Sequence, residues 1–585
     1  MVLAIGVALP ALRPSARAAE PPPNYPQMQP VSPVPQGSPI PRILPPAPPS
    51  VSPNGGVPPL PPAGAGLPDR TVRITGVSVD GATVFPASAF DAYTRDLVGP
   101  AIPLPRIDAA RQAILQTYRS AGYVLSAVSA SLDASGQLRF IVTEGHIASV
   151  KLSGDIGPAG VQVLRFLNRL TEAQPIDAAT LERYLLLAGD VPGVTVKSIL
   201  EPSDSEPGAL NLVAQVSRQA VSGLGIFDNR AFYQTGPVEG LLVMDLNSFT
   251  SYGEKTELSF YHTFLNTQNF GQAALEMFLG GSGLKVRVYG GAGNAIPDSS
   301  GTQALSAANY HGFTDVFGAA FIYPFIRSRQ QTLNGVLNFD ALESNIRTGP
   351  APSDLTTTSY DSLRVLRLGE DYAMSDLWLG TERPAFNTLS VRLSKGLPIL
   401  GAETNGYAAN AARQGEQADF FKLNFELTRT QTFYTFQNGN SIALMGLLTG
   451  QWSDAVLPPA EQFYLGGLRF TRGYYAGQVA GDKALAATAE LQFNTTLNLS
   501  ALRLSGEVPA QFYVFYDWGE TWENNATILP AMINSSGGGT RVQVTHNVEV
   551  DFEALARFNR YPNGSGPTVS ALNGIGLYWR VVGRF

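Results

Sequence analysis

The chain of 585 residues contains no cysteine. Thiolate metal sites, thiol nucleophiles and disulfides are therefore all excluded. Histidine is scarce: His146, His262, His311 and His546 are scattered, with no His-Glu-x-x-His spacing for a metal. No Gly-x-x-x-x-Gly-Lys-Ser/Thr phosphate loop is present, because Gly253-Glu254-Lys255-Thr256 lacks the required glycines, and there is no Gly-x-Ser-x-Gly nucleophile elbow. Charged residues make up only 15%, with 40 basic against 47 acidic side chains and a net charge of −7. No long run of like charge breaks this balance, so nothing supports nucleic-acid binding. No run of 18 or more apolar residues follows the first dozen positions, which argues against a helical membrane protein. If the chain crosses a bilayer it must do so as a closed β-barrel, the remaining way to pair every backbone group in lipid. No enzyme, catalytic residue, metal or cofactor is expected.

What is present changes in texture along the chain. Val2 to Leu9 is a short apolar segment and Ala16-Arg17-Ala18 a small-residue cleavage pattern, so residues 1–19 read as a signal peptide, although no Lys or Arg precedes the apolar run. Residues 20–70 are proline-rich (Pro21-Pro22-Pro23, Pro45-Pro46-Ala47-Pro48-Pro49), which blocks helix and sheet and predicts an extended spacer. From Thr71 a β-α-α-β-β pattern begins. Val72, Ile74, Val77 and Val79 are strand-like, 89–97 and 107–118 have helical spacing, and 123–132 and 138–143 are strand-like. The same order recurs in 147–152, 161–170, 178–187, 194–200 and 210–216. Two α+β units, 71–146 and 147–220, are expected.

From about Val221 to the end, helical periodicity gives way to alternation. Leu258, Phe260 and Phe264 share one face, Glu257, Ser259, Tyr261 and Thr263 the other; Ala489, Leu491, Phe493 and Leu497 oppose Thr488, Glu490, Gln492 and Asn494. Apolar-out, polar-in alternation marks a barrel with a wet lumen, whereas a soluble sandwich would turn the apolar face inward. The span 221–585 is large for one sandwich and fits a transmembrane antiparallel β-barrel of roughly 16 strands.

Late in this region stands Gly466-Gly467-Leu468-Arg469-Phe470-Thr471-Arg472-Gly473-Tyr474, followed by Phe515-Tyr516-Asp517-Trp518-Gly519. Alternation turns Phe512, Val514, Tyr516 and Trp518 outward and Asp517 inward with Tyr513 and Phe515, and a carboxylate facing lipid would be costly. Guanidinium and carboxylate can pair in bidentate fashion. Asp517 is thus the expected partner of Arg472, with inward Glu490 a second candidate. The last strand carries Leu577, Trp579, Val581 and Phe585 on one face.

Together these features resemble the TpsB transporters of two-partner secretion, the FhaC and hemolysin-activator family. The repeated α+β units, joined at Val142-Thr143-Glu144-Gly145-His146-Ile147, are similar to polypeptide-transport-associated (POTRA) domains. The resemblance implies a lumen loop with the motif Phe470, Arg472, Gly473, Tyr474, in which Gly473 gives a tight turn through positive φ or close backbone approach, docked on a wall of Asp517 and Glu490. Trp579 and Phe585 would form the C-terminal signal read by the barrel assembly machinery. The partial match Phe227-Asp228-Asn229-Arg230, with Arg230 where glycine is common, implies a structural role only. The family can carry a pore-plugging helix near its N-terminus; no helical pattern occurs in the proline tract. The implied function is export of an unfolded exoprotein through the bacterial outer membrane, with POTRA domains in the periplasm and the strand from Val194 through Val196 and Ser198 offering a substrate-binding edge. The expected partners are that exoprotein, the lipid bilayer and the assembly machinery. The alternatives are an outer-membrane barrel-assembly insertase, which commonly has more POTRA units, a passive porin-like channel, and a soluble adhesin or β-rich enzyme.

Overall fold

The computed structural model describes residues 70–585 apart from 232–234, 298–308, 404–410, 499, 501–505, 526–527 and 563–570. The expected signal peptide and all but the last residue of the proline-rich spacer lie outside the described residues.

In the first α+β unit, strand Gln137–Thr143 is central, parallel to Gly76–Asp80 and antiparallel to Ala127–Leu132. Helix Leu104–Ser120 covers this sheet and buries Ile107, Ala110, Ile114, Leu115 and Tyr118, the face that the spacing predicts. Its core holds Phe90 and Phe140, with Phe85 edge-on to Tyr118 at 5.0 Å. The helical spacing at 89–97 yields only short turns, Ala87–Phe90, Asp91–Thr94 and Arg95–Leu97. Pro86 and Gly99-Pro100 bound this stretch, leaving too few residues for a stable helix. An unexpected strand, Gly99–Pro103, pairs with Thr71–Ile74 in a separate two-stranded sheet, the edge setting in which proline is tolerated. The strand expected from 123 starts at Ala127, because Tyr123 and Ser126 are held in turns.

The second unit repeats the topology: Ala209–Arg218 is central between parallel His146–Ser153 and antiparallel Val194–Pro202. Helices Ala159–Leu167 and Ala178–Gly189 cover it, the latter capped by Asp177, whose carboxylate accepts from the Thr180 N–H at 2.9 Å. At the junction, Glu144 accepts from the backbone N–H groups of Thr83 (2.8 Å) and Val84 (3.1 Å) and from Tyr118 Oη (2.7 Å). A Cβ on Gly145 would lie 2.5 Å from the Leu125 carbonyl oxygen, so only glycine fits there.

Among the described residues, sixteen antiparallel strands then close into one barrel. Closure is made by the last strand, Ile575–Arg584, on the first, Val221–Asp228, with Arg580 opposite Asp228 and Arg584 opposite Leu224. Phe585 extends the seam by exchanging backbone hydrogen bonds with Gly223 at 2.9 and 3.1 Å. The alternation is realised as an outward belt of Leu258, Phe260, Leu491, Val514 and Phe552 and an inward face carrying Glu257, Thr488, Glu490, Asp517 and Glu553.

The barrel's turns on the side of the α+β units grip the second unit. Phe278 enters its core, edge-on to Phe166 at 5.1 Å. The Arg327 guanidinium donates to both oxygens of Asp190 at 2.7 and 2.8 Å, and Gln162 Nε2 donates to the Gly280 carbonyl at 2.9 Å. The opposite ends of the strands therefore face away from the α+β units.

Candidate functional site

Residues 454–482 connect strands Ser441–Ser453 and Lys483–Asn498 and turn back into the barrel. Short strands Phe463–Leu465 and Val479–Gly481 pair to make this segment a hairpin. Leu465, Tyr474 and Val479 pack with Ala486 and Ile533 of the wall into a small apolar core. That core immobilises the hairpin, so its tip can hold charged groups in fixed positions.

Arg472 sits at the tip and is 6% exposed. Its Nε and Nη2 donate to Asp517 Oδ2 and Oδ1 at 3.1 and 3.2 Å, and its backbone N–H donates to Oδ2 at 2.8 Å. Nη1 donates to Glu490 Oε2 and lies 3.8 Å from Glu553. The guanidinium lies over the Phe515 ring, 3.8 Å from its centroid. Asp517 and Glu490 are both fully buried. The structure thus brings Arg472, Asp517 and Glu490 into one cluster. Such a charge is tolerable out of bulk water only when paired and hydrogen-bonded on every side.

The other motif residues are placed as follows. Tyr474 is buried, its hydroxyl 2.9 Å from the carbonyl oxygens of both Asn534 and Asn559. Phe470 is half-buried against Phe463, ring centroids 5.5 Å apart. Gly473 requires a correction: its φ is not positive. The left-handed positions are Gly466 (φ 102°), Gly467 (φ 89°) and Thr471 (φ 51°). Thr471 is held there by its hydroxyl, which accepts from the Gly466 N–H at 2.8 Å. Gly473 is needed instead for close approach: a Cβ would stand 2.4 Å from Ser535 Cβ on the wall.

Several residues of the cluster escaped the sequence reading. Arg230 is buried, donates to the Arg472 carbonyl at 2.7 Å and to Glu553 at 2.6 Å, and stacks on Tyr578 at 4.1 Å. Arg541 donates to Glu490 at 2.7 Å, and Arg557 donates to the Gly473 carbonyl. Glu553 and Arg557 lie on the inward face of Val548–Arg557, so extending the alternation test to that strand would have exposed them. Arg230 follows a strand end and carried no periodic signal.

A second anchor has the opposite polarity. Glu461, 1% exposed at the base of the hairpin, pairs with Arg367 and Lys422 of the wall, each at 2.6 Å. Arg367 also reaches Asp340 at 2.7 Å. The hairpin therefore presents an anion to wall cations at one end and a cation to wall carboxylates at the other. Electrostatic complementarity of this kind fixes register, since sliding or reversing the hairpin sets like charges together.

The remaining residues of interest lie elsewhere. Val194, Val196 and Ser198 are on the edge strand of the second α+β unit, buried, half-buried and exposed in turn. Trp579 and Phe585 lie at the barrel seam, where Asn229 accepts from the Trp579 N–H at 2.9 Å.

The profile of the haemolysin secretion/activation protein family ShlB/FhaC/HecB matches residues 379–542, which contain the hairpin, Asp517 and Glu490. The ShlB-type POTRA domain profile matches 72–145. The heme/hemopexin transporter protein HuxB of Haemophilus influenzae strain 86-028NP is 21% identical over 448 residues, covering 75% of this chain and 74% of its own. Among solved structures, CdiB from Escherichia coli shares the fold with a TM-score of 0.68 at 16% identity, over 90% of this chain and 93% of its own. BamA from Haemophilus ducreyi, lacking POTRA domains 1–3, is less similar, with a TM-score of 0.50 at 13% identity over 88% of this chain and 99% of its own. With a POTRA domain ahead of a closed sixteen-stranded barrel whose lumen holds the hairpin, the chain is similar to the TpsB family, the outer-membrane transporters of two-partner secretion.

Proposed function

We propose that this chain exports one unfolded, secreted partner protein from the periplasm through the barrel lumen. In this reading both α+β units, 71–146 and 147–220, act as POTRA domains in the periplasm. The partner's extended segment adds to the edge of Val194–Pro202, which pairs with Ala209–Arg218 along one side. Such an edge offers unpaired backbone groups, so recognition is through main-chain hydrogen bonds, with exposed Ser198 and Ile199 facing the added strand's surroundings. The exit is at the far end of the barrel, and folding of the cargo outside gives the process its direction. Trp579 and Phe585 serve barrel assembly before transport begins.

The observation that carries this reading is the hairpin held inside the lumen at two anchors of opposite charge. A passive channel gains nothing from a buried Arg472 cluster across its path, whereas a protein exporter needs an internal element that holds the barrel in the form its cargo enters. In the proposal, Arg472 with Phe470, Gly473 and Tyr474 is the lock, and Asp517 and Glu490 are its seat.

The test uses cells that make a secreted partner protein with and without the chain. The partner should reach the medium only when the chain is present and accumulate in the periplasm otherwise, with other outer-membrane barrels at normal levels. Loss of those barrels on deletion of the chain would instead establish an assembly insertase.

A further inference from the structure

Beyond the hairpin, a second cluster of buried charge sits at the mouth of the barrel farthest from the POTRA units. Asp361, on strand Thr356–Asp376, points inward and is 1% exposed. Glu403 and Glu416 come from the connection between strands Ala385–Gly396 and Phe421–Thr435, of which residues 397–403 and 411–420 are described. One carboxylate oxygen from each of the three residues lies within 4.8 Å of the others. Glu416 is 3% exposed, and its two oxygens accept from the backbone N–H groups of Ala412 (3.0 Å) and Arg413 (3.1 Å). Among the described residues, no donor lies within 3.5 Å in good hydrogen-bond geometry of either Asp361 oxygen.

The cations nearby are committed elsewhere. Arg413 is held by Asp482 at 2.7 Å and by Glu523, and Arg364 by Glu343 at 2.7 Å and the Leu400 carbonyl at 3.1 Å. Three gathered carboxylates, one of them buried with no well-placed donor among the described residues, form an arrangement that calls for a balancing positive charge. Two chemistries can balance it: a proton shared between Asp361 and Glu416, or a hard divalent cation. Magnesium prefers one or two carboxylates and keeps several waters in a strict octahedron, whereas calcium takes six to eight oxygens in flexible geometry. Three carboxylates gathered from a strand and a loop suit calcium.

We propose that Asp361, Glu403 and Glu416 form a calcium site that fastens residues 411–420 to strand Thr356–Asp376. Arg413, three residues before Glu416, is tied to Asp482 and Glu523, at the base of the lumen hairpin and on the neighbouring loop, so the cation would also steady these contacts. The inference is independent of what passes through the barrel.

The experiment titrates CaCl2, with MgCl2 as comparison, into the full chain in detergent after EDTA treatment. Calorimetry reads binding, and hydrogen exchange reads residues 411–420. The expected result is saturable binding with a Kd on the order of 10⁻⁴ to 10⁻³ M, the range of extracellular calcium modules, and exchange in 411–420 slowed at least about tenfold, a shift that a Kd in this range allows at about 10 mM calcium. Asp361→Asn and Glu416→Gln should each abolish both effects. Absence of a saturable signal in the unmodified chain up to about 10 mM calcium overturns the proposal in favour of a shared proton. An undiminished signal in folded Asp361→Asn overturns it equally. The arm on the unmodified chain decides even where a variant does not fold.

Discussion

Replacing Arg472 by alanine removes the cation that three carboxylates surround, and the structure says where the cost falls. Glu490 keeps Arg541 at 2.7 Å and Gln492 at 2.8 Å. Asp517 keeps only the backbone N–H of residue 472. The penalty is therefore that of one stranded, fully buried carboxylate, about 3–5 kcal/mol, with about 0.5–2 kcal/mol more for the lost stacking on Phe515. None of the barrel's ladder hydrogen bonds is touched, so the cost weighs on the docked hairpin and not on the barrel. Even the lower bound shifts the docked-to-undocked ratio by about two orders of magnitude. Arg472→Ala should leave a membrane-inserted barrel of normal abundance and heat-modifiability, with hydrogen exchange in 466–478 greatly accelerated and export reduced at least tenfold. Adding Asp517→Asn removes the stranded charge, so the double variant should dock better than Arg472→Ala alone, with a coupling of about 0.5–3 kcal/mol. Arg472→Lys should not rescue, because a point charge cannot span Asp517 and Glu490 as the planar fork does. Normal export and unchanged exchange in Arg472→Ala would refute the reasoning.

Gly473→Ala should displace the tip, since its Cβ would stand 2.4 Å from Ser535 Cβ; Ser535→Gly in the same chain should restore protection of 466–478, and failure to do so would remove the close-approach explanation. Burial alone would raise the Glu144 carboxyl, but the hydrogen bonds from Thr83, Tyr118 and the Thr83 and Val84 backbone outweigh it and hold it below the ordinary 4.5. Its contribution to the first POTRA domain is thus fully present above pH 4.5 and lost as pH falls through the lower folded value. Hydrogen exchange of 71–145 against pH should show this acid loss in the natural chain and a weaker dependence in Glu144→Gln. Arg327→Ala breaks the two-pronged contact with Asp190 and should loosen the second α+β unit from the barrel by about 1.5–3 kcal/mol, seen as faster exchange in 178–190 without loss of the barrel.

How much of this could be read from residues alone depended on periodicity. Period-2 alternation from Val221 onward implied the barrel and placed Asp517 and Glu490 inside it, because a strand's two faces are fixed by its local sequence. Helix Leu104–Ser120 was legible for the same reason at period 3.6. Gly99–Pro103 was not, since its pairing with Thr71–Ile74 is decided by tertiary contact against two prolines. Arg230 and Glu461 lie outside periodic segments, and their roles arise only when the hairpin returns to the wall. Asp361 is separated from Glu403 and Glu416 by the whole strand Ala385–Gly396, so no spacing announces their convergence.

The most direct test uses the chain's lack of cysteine. A Cβ built on Gly519 lies 2.8 Å from Thr471 Cγ2, close to the roughly 3 Å between a Cβ and the distal sulfur of a disulfide. Thr471→Cys with Gly519→Cys should cross-link in intact cells under mild oxidant when the wall is unaltered. The yield should fall at least tenfold when Asp517→Asn and Glu490→Gln are added. No cross-link on the unaltered wall, or an equal yield on the neutralised one, would contradict a hairpin held in the lumen by its arginine.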